Sequence, residues 1–167
     1  MSEPDVQTAR ERLGGHEAFE RAADGFTVTT VPFENRVTVT DGERPRLDYT
    51  VRVTVPTLQA ATADEVGDAV AAGWLDTLER RLEDAPKATR ARVEMTDFGV
   101  EQVGDSVTVT YTFTSTIPDQ AAGIAKTFVE YVEGTYVEGI VPGYEYEPPV
   151  SDLLADASQT GSGGTPL

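Results

Sequence analysis

Hydrophobic and polar residues alternate one by one along two long stretches of this chain, residues 47–55 and 106–116. In both stretches valine and aromatic residues alternate with threonine, arginine or aspartate. A period of two in β-branched and aromatic residues is typical of half-buried antiparallel strands. Shorter runs of the same kind predict further strands. The five strands expected are residues 26–31, 37–40, 47–55, 90–98 and 106–116.

Four other stretches repeat their apolar residues every three or four positions, which predicts helices. Ser2 with Asp5, and Thr62 with Glu65, resemble capping boxes at the start of two of them, and Pro4 suits a first helical turn. We expect Gly14 to break the first helix. The expected helices are residues 4–13, 18–23 (ending at Asp24-Gly25), 62–82 (apolar stripe Val66, Val70, Trp74, Leu78 and Leu82, ended by Pro86) and 118–140.

The element order predicts an α+β fold. We expect a two-layer sandwich, with a five-stranded antiparallel sheet covered on one face by helices in the order α-β-β-β-α-β-β-α. Residues 1–147 form a single domain in this interpretation, and residues 148–167 form a flexible, acidic C-terminal tail. The expected core is Tyr49, Val51, Val53, Val70, Trp74, Leu78, Val109, Tyr111, Phe113, Ile124 and Phe128.

The charge of the chain is strongly negative. It has 29 Asp+Glu against 13 Lys+Arg, a net charge of −16, and Lys87 and Lys126 are its only lysines. Such a chain repels itself in dilute buffer, and salt screens the repulsion. The composition therefore predicts a halophilic protein, from a cytoplasm that is rich in salt.

Most kinds of catalytic site find no support in the sequence. The chain has no cysteine, His16 is its only histidine, and the glycines at 14 and 15 lack the strand and lysine of a phosphate loop. No apolar run is long enough for a membrane span, and the N-terminus does not resemble a signal peptide. We therefore expect a cytoplasmic protein without cofactor or metal, and without nucleic-acid or membrane partners.

A few residues allow two interpretations. Asp64, Glu65 and Asp68 could bind a hard cation, but a solvated acidic helix face explains them better. His16 is expected to be a surface residue or to cap a helix rather than to act in catalysis. Tyr144 and Tyr146 either pack back on the domain, which we favour, or form an exposed aromatic hook.

Arginines concentrate on the predicted strands. On the face that alternates with the apolar residues, the expected sheet carries five arginines beside Asp48 and Glu94. Arginine forms forked contacts with carboxylates and phosphates. Alternatively, the two acids pair with their arginine neighbours across the strands, which is a routine use of charge on a sheet. The candidate partner-binding residues are Arg36, Arg46, Arg52, Arg90 and Arg92.

Two resemblances extend this interpretation. Over residues 4–140 the element order is similar to the small secretion-chaperone fold, which implies a homodimer that holds an extended client segment. The acidic composition, with the segments GDSVTVTYTFTSTIP and GYEYEPPVSDLL, resembles an uncharacterised haloarchaeal family of acidic proteins with unknown function.

Two classes of function remain. We favour a non-enzymatic binding or chaperone-like module, because the sequence lacks a nucleophile–base pair, a metal cluster and a phosphate loop. The alternative is a small hydrolase or ligand-binding enzyme that depends on carboxylates. Acids are so abundant here that the sequence does not single out a functional pair.

Overall fold

A computed structural model describes residues 5–164 of the chain. Ser2, Pro4 and residues 165–167, on which the predicted first capping box and the end of the tail depend, lie outside the described residues. The helices are α1 (Val6–Gly15), α2 (Asp68–Leu82), α3 (Pro118–Glu138) and α4 (Val150–Gly164), with a 3-10 turn at Ala85–Ala88. The strands are β1 (Phe19–Ala22), β2 (Gly25–Val28), β3 (Glu34–Asp41), β4 (Leu47–Pro56), β5 (Glu94–Val103) and β6 (Ser106–Ser115).

All six strands form one open antiparallel sheet in the order β1-β2-β3-β4-β6-β5. The fold is therefore α+β, as predicted, but the sheet has six strands rather than five. The additional strand is β1, which lies where a short helix was predicted. Asp24-Gly25, which was interpreted as a helix end, is equally a hairpin signal, and Ala22 pairs with Gly25 across a two-residue turn.

The register of the central strands agrees with the alternation in the sequence. Val51 of β4 lies between Val37 of β3 and Tyr111 of β6, and all three side chains are fully buried. The threonines that alternate with them are only half-buried, so the predicted inward face is confirmed. Helix α3 contacts β4 and β6, and α1 contacts β3 and α3.

One predicted helix starts later than expected. Helix α2 begins at Asp68 instead of near Thr62. The Thr62 hydroxyl accepts from the Asp64 amide at 3.1 Å and donates to the Glu145 carbonyl at 2.6 Å, so it stabilises a turn rather than the first turn of a helix. Val70 lies in the first turn of α2, is 40% exposed and does not belong to the core, whereas Trp74, Leu78 and Leu82 are buried.

The C-terminal segment was predicted to lose periodicity at residue 148, but the structure places α4 at Val150–Gly164. Val150 is buried, and Leu153 and Leu154 pack partly against the core. The division of the chain into a domain of residues 1–147 and a flexible tail stays a prediction.

Two buried tyrosines provide a matched test of this core. The Tyr111 hydroxyl donates a hydrogen bond to the Leu82 carbonyl at 2.6 Å, whereas the Tyr49 hydroxyl has no partner among the described residues. We expect Tyr111→Phe to lower the free energy of unfolding by about 1–3 kcal/mol, because it leaves a buried carbonyl unpaired. Tyr49→Phe should be neutral or stabilising, since burial already leaves its donor unsatisfied.

Urea denaturation of the two variants measures this difference. Equal losses in both would show that the Tyr111 hydrogen bond does not contribute to stability.

Candidate functional site

The polar side of the sheet is built mainly from threonine. We call it the threonine face, and its positions form rows across β3, β4, β6 and β5. One row is Thr38, Thr50, Thr112 and Asp97, and the next contains Arg36, Arg52, Thr110 and Gly99. The outer rows are Glu34, Thr54, Thr108 and Glu101 at one end, and Thr40, Asp48, Thr114 and Glu94 at the other.

Two of the predicted partner-binding arginines are direct neighbours on this face. Arg36 of β3 and Arg52 of β4 lie opposite each other in the antiparallel register, and both are exposed. Like charges in directly opposite positions destabilise a sheet unless another group compensates them. The Arg36 guanidinium is compensated by the Asp24 carboxylate at 3.1 Å. Among the described residues, Arg52 forms no ion pair within 4.0 Å.

Arg46, which was predicted to lie on a strand of this face, directly precedes β4 and forms an ion pair within the chain. Its Nε is 3.3 Å from a carboxylate oxygen of Glu94, which lies two strands away on β5. This is the cross-strand pairing that was the alternative explanation of the charged residues. Both side chains are about half exposed, so the pair contributes little to stability.

Arg90 and Arg92 do not share this face as predicted. They are exposed, but they precede β5, which begins at Glu94 rather than at residue 90. The 3-10 turn and the Thr89 hydroxyl, which accepts from the Ala91 amide at 2.9 Å, determine the local conformation there. The expected concentration of five arginines is therefore not formed, and the strands of the face carry more acids than arginines.

Two depressions of the threonine face meet at Arg52. The larger has a volume of about 700 Å³ and lies over Gly99, where the missing side chain leaves open space. Its walls carry the carboxylates of Asp97 and Glu101. The smaller, of about 220 Å³, lies between Arg52 and Glu34. Arg52 is therefore the basic side chain best placed to contact a ligand on this face.

A different kind of site lies between α3 and α4. Glu133 of α3 borders a concavity of about 430 Å³ together with Asp152 and Asp156 of α4. One oxygen of Glu133 is buried without a hydrogen-bond partner. Burial raises the pKa of the Glu133 carboxyl, and the negative charges of Glu130 and Asp156 raise it further.

No sequence motif distinguishes Glu133, because it is one acid among 29. Its position on α3 between the buried Val132 and Tyr136 is the only pattern that could have marked it.

A further concavity, of about 530 Å³, lies between α3 and the 3-10 turn. Gly134 forms part of its wall, together with Arg81, Asp84 and Glu138. Residues 5–164 contain no group of three or more acidic, histidine or cysteine side chains arranged to hold a metal ion.

The remaining ambiguous residues have structural contacts. The His16 Nδ1 accepts a hydrogen bond from the Ala18 amide at 3.1 Å, and its ring packs edge-on against Phe19. Tyr144 and Tyr146 are partly buried against the core, as favoured from the sequence. The Asp64 carboxylate accepts from the Glu145 amide at 2.8 Å, so it fixes the segment that contains these tyrosines.

The described part of the chain contains no helix with the length and apolar character needed to cross a bilayer. Comparison with protein families matches residues 14–156, which include the whole sheet, α2, α3 and the first half of α4. No curated protein and no solved structure matches the chain. The chain therefore belongs to DUF5813, a family of unknown function.

Proposed function

We propose that this protein is a non-enzymatic binding module whose partner docks on the threonine face at Arg36 and Arg52. The observation that carries the proposal is the direct opposition of these two arginines, of which Arg52 has no ion pair among the described residues. A carboxylate of a partner placed between them would offset the repulsion of the two guanidinium groups. Arginine suits this contact because it is always charged and binds carboxylates with two parallel hydrogen bonds.

The proposal requires that the threonine face be open to a partner. We infer a layered arrangement in which the helices cover the side of the sheet that carries the valines and aromatic residues. The contacts of α1 and α3 with the strands support this inference, as does the exposure of Arg36 and Arg52. A chaperone-like module of this form would hold an extended acidic segment across the strands, and we expect it to be a homodimer. Light scattering in molar KCl tests the dimer.

The proposed setting is a salt-rich, haloarchaeal cytoplasm, where most proteins are acidic. The net charge of −16 and the presence of only two lysines support this setting. Steering over long distances is screened there, but contacts between an arginine and a carboxylate at short range persist. A partner with many carboxylates is then recognised by contact geometry rather than by the overall field.

Charge reversal tests the site. We expect Arg36→Glu combined with Arg52→Glu to abolish binding of a fluorescent polyglutamate peptide, measured by anisotropy in 2 M KCl, and to abolish partner capture from a cell extract. Arg90→Glu combined with Arg92→Glu is the matched control, because it makes the same charge change at exposed positions outside the strands. Circular dichroism checks that both variants keep the fold.

Two results would contradict the proposal. Binding that survives the Arg36 and Arg52 substitutions would leave these arginines as solvated strand residues. Equal losses in the two double variants would show that only the overall charge matters.

Glu133 favours a second candidate, a small carboxylate-dependent hydrolase or ligand-binding enzyme. Its buried, unpartnered oxygen lies beside two aspartates at a concavity, and a carboxyl with a raised pKa can serve as a general acid. Hydrolysis of a nitrophenyl ester or glycoside that is lost in Glu133→Gln would support this function over the binding module.

A further inference from the structure

Helix α4 is attached to the domain through a segment that is itself firmly held. The Glu147 amide donates to the Ala61 carbonyl at 2.9 Å, and the Thr62 hydroxyl donates to the Glu145 carbonyl at 2.6 Å. Tyr146 also forms an isolated β-bridge with Thr62. The chain is therefore anchored to the 57–66 loop up to residue 147, and α4 begins directly after this anchor.

The contact between α4 and the domain is small and contains opposed negative charges. On the apolar side, Val150 is fully buried, whereas Leu153 and Leu154 are only partly buried. On the polar side, Asp152 and Asp156 of α4 share one concavity with Glu133 of α3. The apolar contact holds the helix on the domain, and the carboxylates oppose it.

No base among the described residues compensates this cluster. The neighbouring acid Glu130 has partners of its own: Lys126, at 3.0 Å, and the Thr30 hydroxyl, which donates to it at 2.7 Å. Lys126 is therefore already engaged. Glu133 has no such partner, and one of its oxygens is buried without a hydrogen bond. Between α3 and α4, the repulsion can be relieved only by dissolved cations, by a proton or by movement of α4.

We propose that α4 is a salt-gated strap, which lies on α3 in concentrated salt and leaves it in dilute salt while the anchor and the sheet stay folded. At molar salt the Debye length is about 3 Å, so the carboxylates of the two helices hardly sense each other. In dilute buffer it exceeds about 10 Å, and the repulsion acts against only a few apolar contacts. Release exposes Val150 and Leu153 together with the part of the core against which they pack.

A low pH should favour the form in which α4 lies on α3, as concentrated salt does. The raised pKa of Glu133 means that the seated form binds its proton more tightly than the released form does. Protonation of Glu133 therefore stabilises the form in which α4 lies on α3. This stabilisation is complete when the pH is below the ordinary pKa of a glutamate, and it is lost as the pH rises through the raised pKa of Glu133. Lowering the pH in dilute buffer should therefore favour the position of α4 on α3. The charged groups near Glu133 are Glu130 of α3 and the two aspartates of α4 that border the same concavity, Asp152 and Asp156.

Hydrogen exchange on the full chain tests the strap. Between 3 M and 0.1 M KCl we expect the amides of residues 151–158 to become at least about tenfold less protected, a factor that corresponds to about 1.4 kcal/mol. The amides of Glu145, Glu147 and the β4 strand should change far less. Glu133→Gln should restore protection of α4 at 0.1 M KCl, since it removes the α3 charge from the concavity that Asp152 and Asp156 also border.

Glu138→Gln is the matched control, because it neutralises an exposed acid of the same helix at a different concavity. Asp156→Asn provides an independent variant on α4 itself, in case the change at residue 133 disturbs α3. Protection of α4 that does not depend on salt would overturn the proposal. So would equal effects of the Glu133 and Glu138 variants, or joint loss of protection in α4 and β4.

Discussion

Replacing Trp74 with alanine is expected to lower the free energy of unfolding by about 3–5 kcal/mol. Trp74 is the largest side chain that α2 buries, and it is only 6% exposed. Its ring meets Tyr136 of α3 edge-on, with the centroids 5.7 Å apart. The substitution therefore creates a cavity between the two helices and removes an aromatic contact worth about 0.5–1.5 kcal/mol beyond the buried area.

Urea denaturation in molar KCl measures this loss, and Val70→Ala is the control on the same helix. Val70 lies one turn earlier and is 40% exposed, so its truncation should cost no more than about 0.5 kcal/mol. Similar losses for both variants would mean that the apolar stripe predicted from the sequence extends to Val70 after all.

Stability should depend strongly on salt. Between 0.1 M and 2 M KCl we expect the free energy of unfolding to rise by about 2–4 kcal/mol, a large part of the 5–15 kcal/mol that is typical of folded domains. The physical reason is the net charge of −16, whose self-repulsion acts over about 10 Å at the lower salt concentration and only about 3 Å near molar salt.

A nonionic solute serves as the control. It distinguishes the screening of charge by KCl from the stabilisation that any solute produces when it is excluded from the protein surface. Trehalose at matched osmolality should reproduce only a small part of the effect of KCl, because it does not screen charge. An unchanged denaturation midpoint across this salt range would remove the basis for a halophilic protein.

The sequence predicts the centre of the sheet better than its edges. Strands β3, β4 and β6 have valine or aromatic residues on one face and mostly threonine on the other, so their period of two leaves no ambiguity. The segment that forms β1 has only four residues, and its phenylalanine and alanine suit a helix as well. Pairing with β2 determines its conformation, and this contact is not visible in the local pattern.

The candidate site was only partly predictable for the same reason. Arg36 and Arg52 were placed on one face by alternation, and the register brings them together. Arg90 and Arg92 continued the alternating pattern toward the N-terminus, but strand pairing begins only at Glu94, opposite Thr114. The surroundings of Glu133 depend on the position of α4, a helix that the proline pair and the glycine-rich end of the chain concealed.

The position of β6 between β4 and β5 has a consequence for folding kinetics. Strands β1 to β4 follow one another in the sheet, and β5 and β6 form a hairpin around Gly104, so both units require only short loops. When the two units join, Pro56 of β4 pairs with Ser106 of β6. This pairing closes a long loop that contains α2. Because the entropy of closing this long loop is lost before the contacts form, the β4–β6 pairing is expected to limit the folding rate.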